Sequence, residues 1–584
     1  MKDLIIKFLK PYRKQVVLAV VLLLAQVMAS LYLPNLNANI INNGMAKGDI
    51  NYIIRAGAFM LAVTLILVAC AISSSYLGSR ISMSVGRDMR QAVFYKVESF
   101  SQADLDKFGV PSLITRNTND VHQIQMLVLL GLNLMVMAPI MCLGGIIMAL
   151  RQDVVLSSSI IIIAPLMAVV VWLILIRAIP LFRSIQSKID RVNQIMREKL
   201  MGVRVIRAFV KNNYEAQRFD KANRDLTATT LRVNRIIALA IPSLLIIMNM
   251  TTIAIIWFGG HRIESGAMAI GNLTAFLTYI MEIMIAVTLA MSMFLMVPRA
   301  EASAERLLEV LNTEPSIKDP TKPIVLLPKA EYKVKGKIEF CKVDFRYPDA
   351  EEPVLKNLSF TAMPGKTTAI IGSTGCGKST LIALIPRFYD VTSGSIKIDG
   401  IDIRNILLQD LRGRIGLVSQ KAFLFSGTIA DNLRFGKEDA TEEELWHALE
   451  VAQAKNFVMA LPDKLYAPVE QGGVNFSGGQ RQRLAIARAI VKKPEIYLFD
   501  DSFSALDFKT DSQLRQALKK ETVHNTVIIV AQRVGTILNA DQIITLNDDG
   551  TIAGIGNHNQ LMKTCEVYRD IVHSQLSNEK IIYE

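Results

Sequence analysis

Gly372-Ser373-Thr374-Gly375-Cys376-Gly377-Lys378-Ser379 has the residue types and spacing of a complete phosphate-binding loop. The glycines let several backbone N–H groups converge on phosphate oxygens, and a helix starting behind the loop adds its positive N-terminal end. Lys378 is expected to reach the β- and γ-phosphates, and the Ser379 hydroxyl to ligate Mg²⁺. Thr367–Ile371 reads as a buried strand leading into the loop, and a helical pattern follows from Thr380. Glu495–Phe499 reads as a second buried strand, ending in Asp500-Asp501. A carboxylate at a strand tip beside a phosphate loop suits Mg²⁺, and that role is expected of Asp500.

Between these elements runs Phe476-Ser477-Gly478-Gly479-Gln480-Arg481-Gln482-Arg483, followed by strong helix formers. Together with the phosphate loop, this signature is highly specific: the whole chain resembles an ATP-binding cassette exporter half-transporter of the six-span type. The likeness covers both halves of the chain, with Phe476 in place of the commoner leucine. It implies ATP and Mg²⁺ as cofactors. ATP would be sandwiched between the phosphate loop of one subunit, including Thr380, and the Ser477-Gly478-Gly479-Gln480 signature of the other. The resemblance further implies that Tyr347, in Phe345-Arg346-Tyr347-Pro348, stacks on adenine. It implies that Gln420, in Val418-Ser419-Gln420, contacts Mg²⁺ and senses the membrane domain. Ser504-Ala505-Leu506-Asp507 matches the loop that communicates across the dimer. Lys107-Phe108-Gly109 through Thr118-Asn119-Asp120 resembles the first coupling loop, and Val205-Ile206-Arg207-Ala208-Phe209 through Phe219 the second.

Two positions depart from the family pattern. Asp501 stands where the family usually places a glutamate that serves as general base or positions water. Its side chain is one C–C bond shorter, which withdraws the carboxylate by about 1.5 Å, and a misplacement of that order can cost on the order of 10²-fold in rate. Gln532, in Ala531-Gln532-Arg533, stands where the family has a histidine. Glutamine can hydrogen-bond a γ-phosphate but cannot share a proton or carry positive charge. Two losses at one site, with the phosphate loop, Asp500 and Gln420 intact, predict binding without efficient cleavage. The expected partner is a homologous, non-identical half-transporter that carries the glutamate and the histidine.

These residues need a frame to hold them, and composition indicates its kind. Of 584 residues, 51% are hydrophobic, which is too apolar and too long for one soluble domain. Six stretches are long and apolar enough to cross a bilayer: roughly Val16–Leu33, Ile53–Leu77, Gln125–Leu150, Val154–Ile179, Ile236–Trp257 and Ala269–Val297. The formal charge of +13 gathers in loops that follow even-numbered spans, as in Arg80, Arg87, Arg90 and Lys96, or Lys188, Arg191, Arg197 and Lys199. By the positive-inside rule both termini and the nucleotide-binding half lie in the cytoplasm. No basic stripe interleaved with aromatics indicates nucleic acid. The long connections after spans two and four are helical in pattern, so the spanning helices are expected to extend far into the cytoplasm and turn back through short crossing segments.

The predicted fold is thus an all-α membrane domain over 1–311, with six transmembrane helices and long cytoplasmic extensions, a Pro-rich linker over 312–335, and an α/β phosphate-loop nucleotide-binding domain over 336–584. Five cysteines without metal-ligand spacing indicate a reduced, cytoplasm-facing protein. Cys376, inside the loop, is expected to block nucleotide binding when alkylated. Glu282 is a carboxylate at membrane depth and a candidate substrate contact. Met135, Met141, Met248 and Met284 suit a cavity for varied apolar ligands. The function expected is ATP-driven export of a small amphipathic drug, lipid or peptide across the plasma membrane by a heterodimer with one impaired site. The alternatives are a slow homodimeric exporter or lipid flippase, an importer with this architecture, and a regulator whose ATP binding gates a partner.

Overall fold

The computed structural model describes residues 1–324, 335–348 and 350–582. The central part of the expected linker, 325–334, lies outside the described residues. The chain forms two compact units, Met1–Glu98 with Pro111–Thr313 and Ser99–Val110 with Glu314–Glu584.

Six helices in the first unit are long and apolar enough to cross a membrane. They cover Lys2–Met45, Ile50–Glu98, Val110–Gln152, Val154–Met201, Asn212–Glu264 and Ile270–Asn312. The second contains 49 residues, about 74 Å of helix at 1.5 Å per residue, whereas a hydrocarbon core is about 30 Å thick. More than half of such a helix must project beyond the bilayer. Its apolar window presents Ile54, Leu61, Leu65 and Ile72 outward, as a lipid-facing surface requires. The inward faces meet in a core that includes Val27, Leu31, Met141, Phe276 and Tyr279. Small residues bring those helices together: a Cβ on Gly145 would lie 2.8 Å from Ile283 Cγ1. Beyond the apolar windows, the third and sixth helices are tied by charge. Asp120, fully buried, accepts from Arg306 Nη2 at 2.5 Å and from Ser303 Oγ at 3.0 Å. Arg116 Nη1 reaches Glu309 Oε2 at 2.8 Å.

The crossing segments are short helices, Gln102–Phe108 between the second and third long helices and Val203–Ala208 between the fourth and fifth. The first is capped by Ser101 and belongs to the second unit. There Asp104 accepts the Ser316 N–H at 3.0 Å, and Asp106 accepts the Tyr389 hydroxyl at 2.6 Å.

The second unit is built on a six-stranded sheet with the order Ile552–Gly556, Gln542–Leu546, Thr367–Gly372, Thr526–Val530, Ile496–Asp500 and Ile415–Val418. All neighbours in this order are parallel except the first pair. The interior strands are buried along almost their whole length, because both faces of a parallel sheet are covered. One apolar core lies with the helix Gly478–Val491, and a second lies with the antiparallel strands Ile338–Phe345, Leu355–Ala362 and Ser393–Ile398. Parallel strands all end on one edge, so Gly372, Val418, Asp500 and Val530 gather there, and ligands bind at such carboxyl edges.

Candidate functional site

The strand Thr367–Gly372 delivers the loop directly onto the helix Lys378–Leu384, which starts two residues earlier than the pattern from Thr380 predicts. Gly375 and Gly377 have φ of 94° and 93°, a left-handed backbone that other residues rarely adopt. A Cβ on Gly372 would sit 2.7 Å from Cys376 Sγ. The loop therefore closes tightly enough to turn amides inward only with glycine at these places. Lys378 Nζ folds back over it, donating to the Gly372 carbonyl at 2.9 Å and the Ser373 carbonyl at 2.5 Å.

Cys376 corrects an expectation. Its side chain is 2% exposed and packs in the apolar core with Ile370 and Leu381, beneath Lys378 Nζ, which lies 3.7 Å from its Sγ. A thiol so enclosed is shielded from alkylation in the folded loop, against the ready reaction expected.

Ser379 Oγ donates to Asp500 Oδ1 at 2.9 Å. Burial pushes the Asp500 carboxyl above its ordinary pKa, with the neighbouring Asp501 charge adding to that, while Ser379 and Lys378 pull the other way. A hydroxyl and a carboxylate in contact, with the Gln420 side chain on the adjacent strand end, are hard oxygen donors of the kind Mg²⁺ takes alongside phosphate and water.

Asp501 is buried at 7% exposure, and its backbone is left-handed with φ 45°, which aspartate tolerates better than most residues. Its Oδ2 accepts from Gln532 Nε2 at 2.9 Å and from Gln420 Nε2 at 3.3 Å. The two departures from the family pattern are thus in direct contact, and Gln420 shares the same oxygen.

Tyr347 lies over the start of the loop helix, its hydroxyl 2.9 Å from Thr380 Oγ1. Its ring stands edge-on to Phe345 and Tyr389, with centroids 4.8 and 5.4 Å away. Ser373 Oγ bonds Asp548, a residue sequence reasoning missed. Its position just past the strand Gln542–Leu546, on the same sheet edge, is the signal that could have found it. Thr374 completes the loop. Ser477 caps the helix Gly478–Val491 in a reciprocal capping box with Gln480, and a Cβ on Gly478 would meet no atom within 4 Å. Among the described residues, no hydrogen bond joins Ser477, Gly478, Gly479 or Gln480 to the phosphate loop.

The profile of the ABC transporter transmembrane region matches residues 16–287, and that of the ABC transporter matches residues 355–504. An uncharacterised ABC transporter ATP-binding protein of Mycobacterium tuberculosis is 46% identical over 570 residues, 97% of each chain. The chain belongs to the ABC transporter family. This ABC transporter is also 31% identical over 531 residues to a multidrug resistance ABC transporter ATP-binding and permease protein of Lactococcus lactis, covering 90% of the chain and 88% of that relative. Its fold matches the structure of a bacterial Atm1-family ABC exporter with ATP bound, with TM-score 0.80 at 23% identity over 96% and 98% of the two chains. The ABC transporter accordingly joins six apolar membrane helices to an ATP-binding unit and is an ATPase-coupled transmembrane transporter that works as a dimer.

Proposed function

We propose that this ABC transporter is one half of a heterodimeric exporter of small amphipathic molecules, and that its own phosphate loop builds the impaired ATP site of the pair. The observation that carries this reading is the contact of Gln532 and Gln420 with one oxygen of Asp501. A general base must offer an unshielded oxygen lone pair to water within hydrogen-bond reach. Here two amide N–H groups take Oδ2 and leave only Oδ1 for a water, the carboxylate is one bond short, and neither amide can relay a proton. ATP is held by the backbone of Gly372 to Gly377, by Lys378, Ser379 and Thr380, and by the Tyr347 ring under the adenine. Mg²⁺, when bound, neutralises charge on the terminal phosphates, and Ser379, Asp500 and Gln420 hold it. Ser477, Gly478, Gly479 and Gln480 offer their helix N-terminus to the γ-phosphate in the partner's site. The partner, a homologous non-identical half-transporter, supplies the competent glutamate and histidine.

Nucleotide closure of the two ATP-binding units moves the long helical extensions, and hydrolysis in the partner's loop resets them. The termini and the ATP-binding unit face the cytoplasm, in a plasma membrane. The multidrug name of the Lactococcus relative supports amphipathic cargo. Reconstitution tests the pairing: vesicles with this chain and a homologous half-transporter that carries the glutamate and the histidine should accumulate a fluorescent amphiphile, and vesicles with this chain alone should not. Equal accumulation in both would overturn the heterodimer.

A further inference from the structure

The C-terminal helix Glu566–Ile582 reaches the edge of the ATP site through Gln575. Tyr568 and Val572 bury one face of this helix in the core that also holds Val534 and Ile537. Gln575 follows on that face, at the i, i+4, i+7 spacing of a helical stripe. It makes two hydrogen bonds to the backbone on either side of Arg533. Its Nε2 donates to the Gln532 carbonyl at 2.7 Å, and its Oε1 accepts the Val534 N–H at 2.7 Å.

The gripped segment has no regular structure of its own. The strand ends at Val530 and the next helix begins at Val534, so neither ladder nor helix fixes the Gln532 peptide. That peptide carries the amide that donates to Asp501 Oδ2. A few tenths of an ångström at the Gln532 carbonyl change where its side chain ends.

We propose that Gln575 is a positioning residue of the ATP site, fixing the Gln532 backbone and so the place where its amide meets the terminal phosphate. This rests on the assignment of Gln532 to the γ-phosphate side. Gln575 itself touches no nucleotide. It acts only on ligands that carry a third phosphate, which separates it from a residue that merely holds the fold.

The test compares two nucleotides on the full-length purified chain: adenylyl imidodiphosphate, which has a terminal phosphate and is not cleaved, and ADP. Gln575→Ala is expected to weaken the first about fivefold, the range of one or two lost neutral hydrogen bonds, and to leave ADP within about twofold. Gln575→Glu keeps the acceptor for Val534 but sets a carboxylate oxygen against the Gln532 carbonyl, so it should push that peptide away and weaken the first ligand at least as much as alanine does. Should Gln575→Ala fold poorly and lose both ligands, the isosteric Glu variant decides. Equal weakening of both nucleotides by Gln575→Glu, or of neither, overturns the proposal. Neither ligand is hydrolysed, so the comparison stands whatever the cleavage rate. Brisk turnover of ATP by the unaltered chain would instead count against the impaired-site reading.

Discussion

Gln532 Nε2 lies 2.9 Å from Asp501 Oδ2, so the two residues that break the family pattern are bonded to each other. An amide and a short carboxylate satisfy one another here where a histidine and a glutamate would serve a water. The pair behaves as one unit, and altering one member leaves the other aimed at a partner that has moved.

Restoring catalysis should therefore need both changes. In the chain purified alone, Asp501→Glu or Gln532→His is each expected to raise the ATPase kcat by about twofold or less, and the double variant by on the order of 10²-fold, far above the product of the two. The KM for ATP should stay within about twofold. Effects that simply multiply in the double variant would show that the contact has no bearing on rate.

Asp500 is held above its ordinary pKa, chiefly by burial. A carboxyl raised by folding binds its proton more tightly in the folded state, so it stabilises the fold below the ordinary carboxylate pKa and loses that contribution as pH rises through its raised value. At neutral pH the ionised group costs stability in the nucleotide-free protein. Asp500→Asn, which preserves an acceptor for Ser379, should melt higher than the parent at pH 7, and the gap should close toward pH 4. The same variant should lose the extra melting temperature that Mg²⁺ and ATP confer together. Thermal scans with and without Mg-ATP check both.

Cys376 should resist thiol labelling in the folded chain with ATP absent as well as present, because its side chain is in the core. Maleimide labelling followed by peptide mass spectrometry reads this directly. Fast ATP-sensitive labelling would mean that the loop opens far wider than the packed arrangement.

Within the membrane region, Ser30 Oγ donates to Glu282 Oε1 at 3.1 Å, while Oε2 is buried without a hydrogen-bond partner among the described residues. A carboxylate so placed selects positive charge. In the reconstituted pair, Glu282→Gln should lower transport of a cationic amphiphile relative to a neutral one of similar size by about tenfold, roughly 1.4 kcal/mol. Equal loss for both cargoes would assign Glu282 to helix packing through Ser30.

The phosphate loop and the apolar windows were legible because their signals are local. Gly375, Gly377 and Lys378 need a fixed spacing, and a spanning helix needs a continuous run. The helical extensions were legible too, since their amphipathic pattern runs on past the windows. What escaped is long-range. Gln575 lies in a helix 43 residues beyond Gln532, Asp106 lies far along the chain from Tyr389, and no spacing rule joins either pair. The orientation of Cys376 also escaped, because a loop sequence does not say which side chains its turn drives into the core. The charge ties of Asp120 to Arg306 and Arg116 to Glu309 form only once the third and sixth helices lie side by side.

The most direct measurement loads the purified chain, without any second subunit, with radiolabelled ATP and Mg²⁺, removes free nucleotide, and identifies what stays bound after several minutes at growth temperature. The account expects retained label to be recovered as ATP. Recovery of that label as ADP, with phosphate released at a rate that sustains transport, would contradict it.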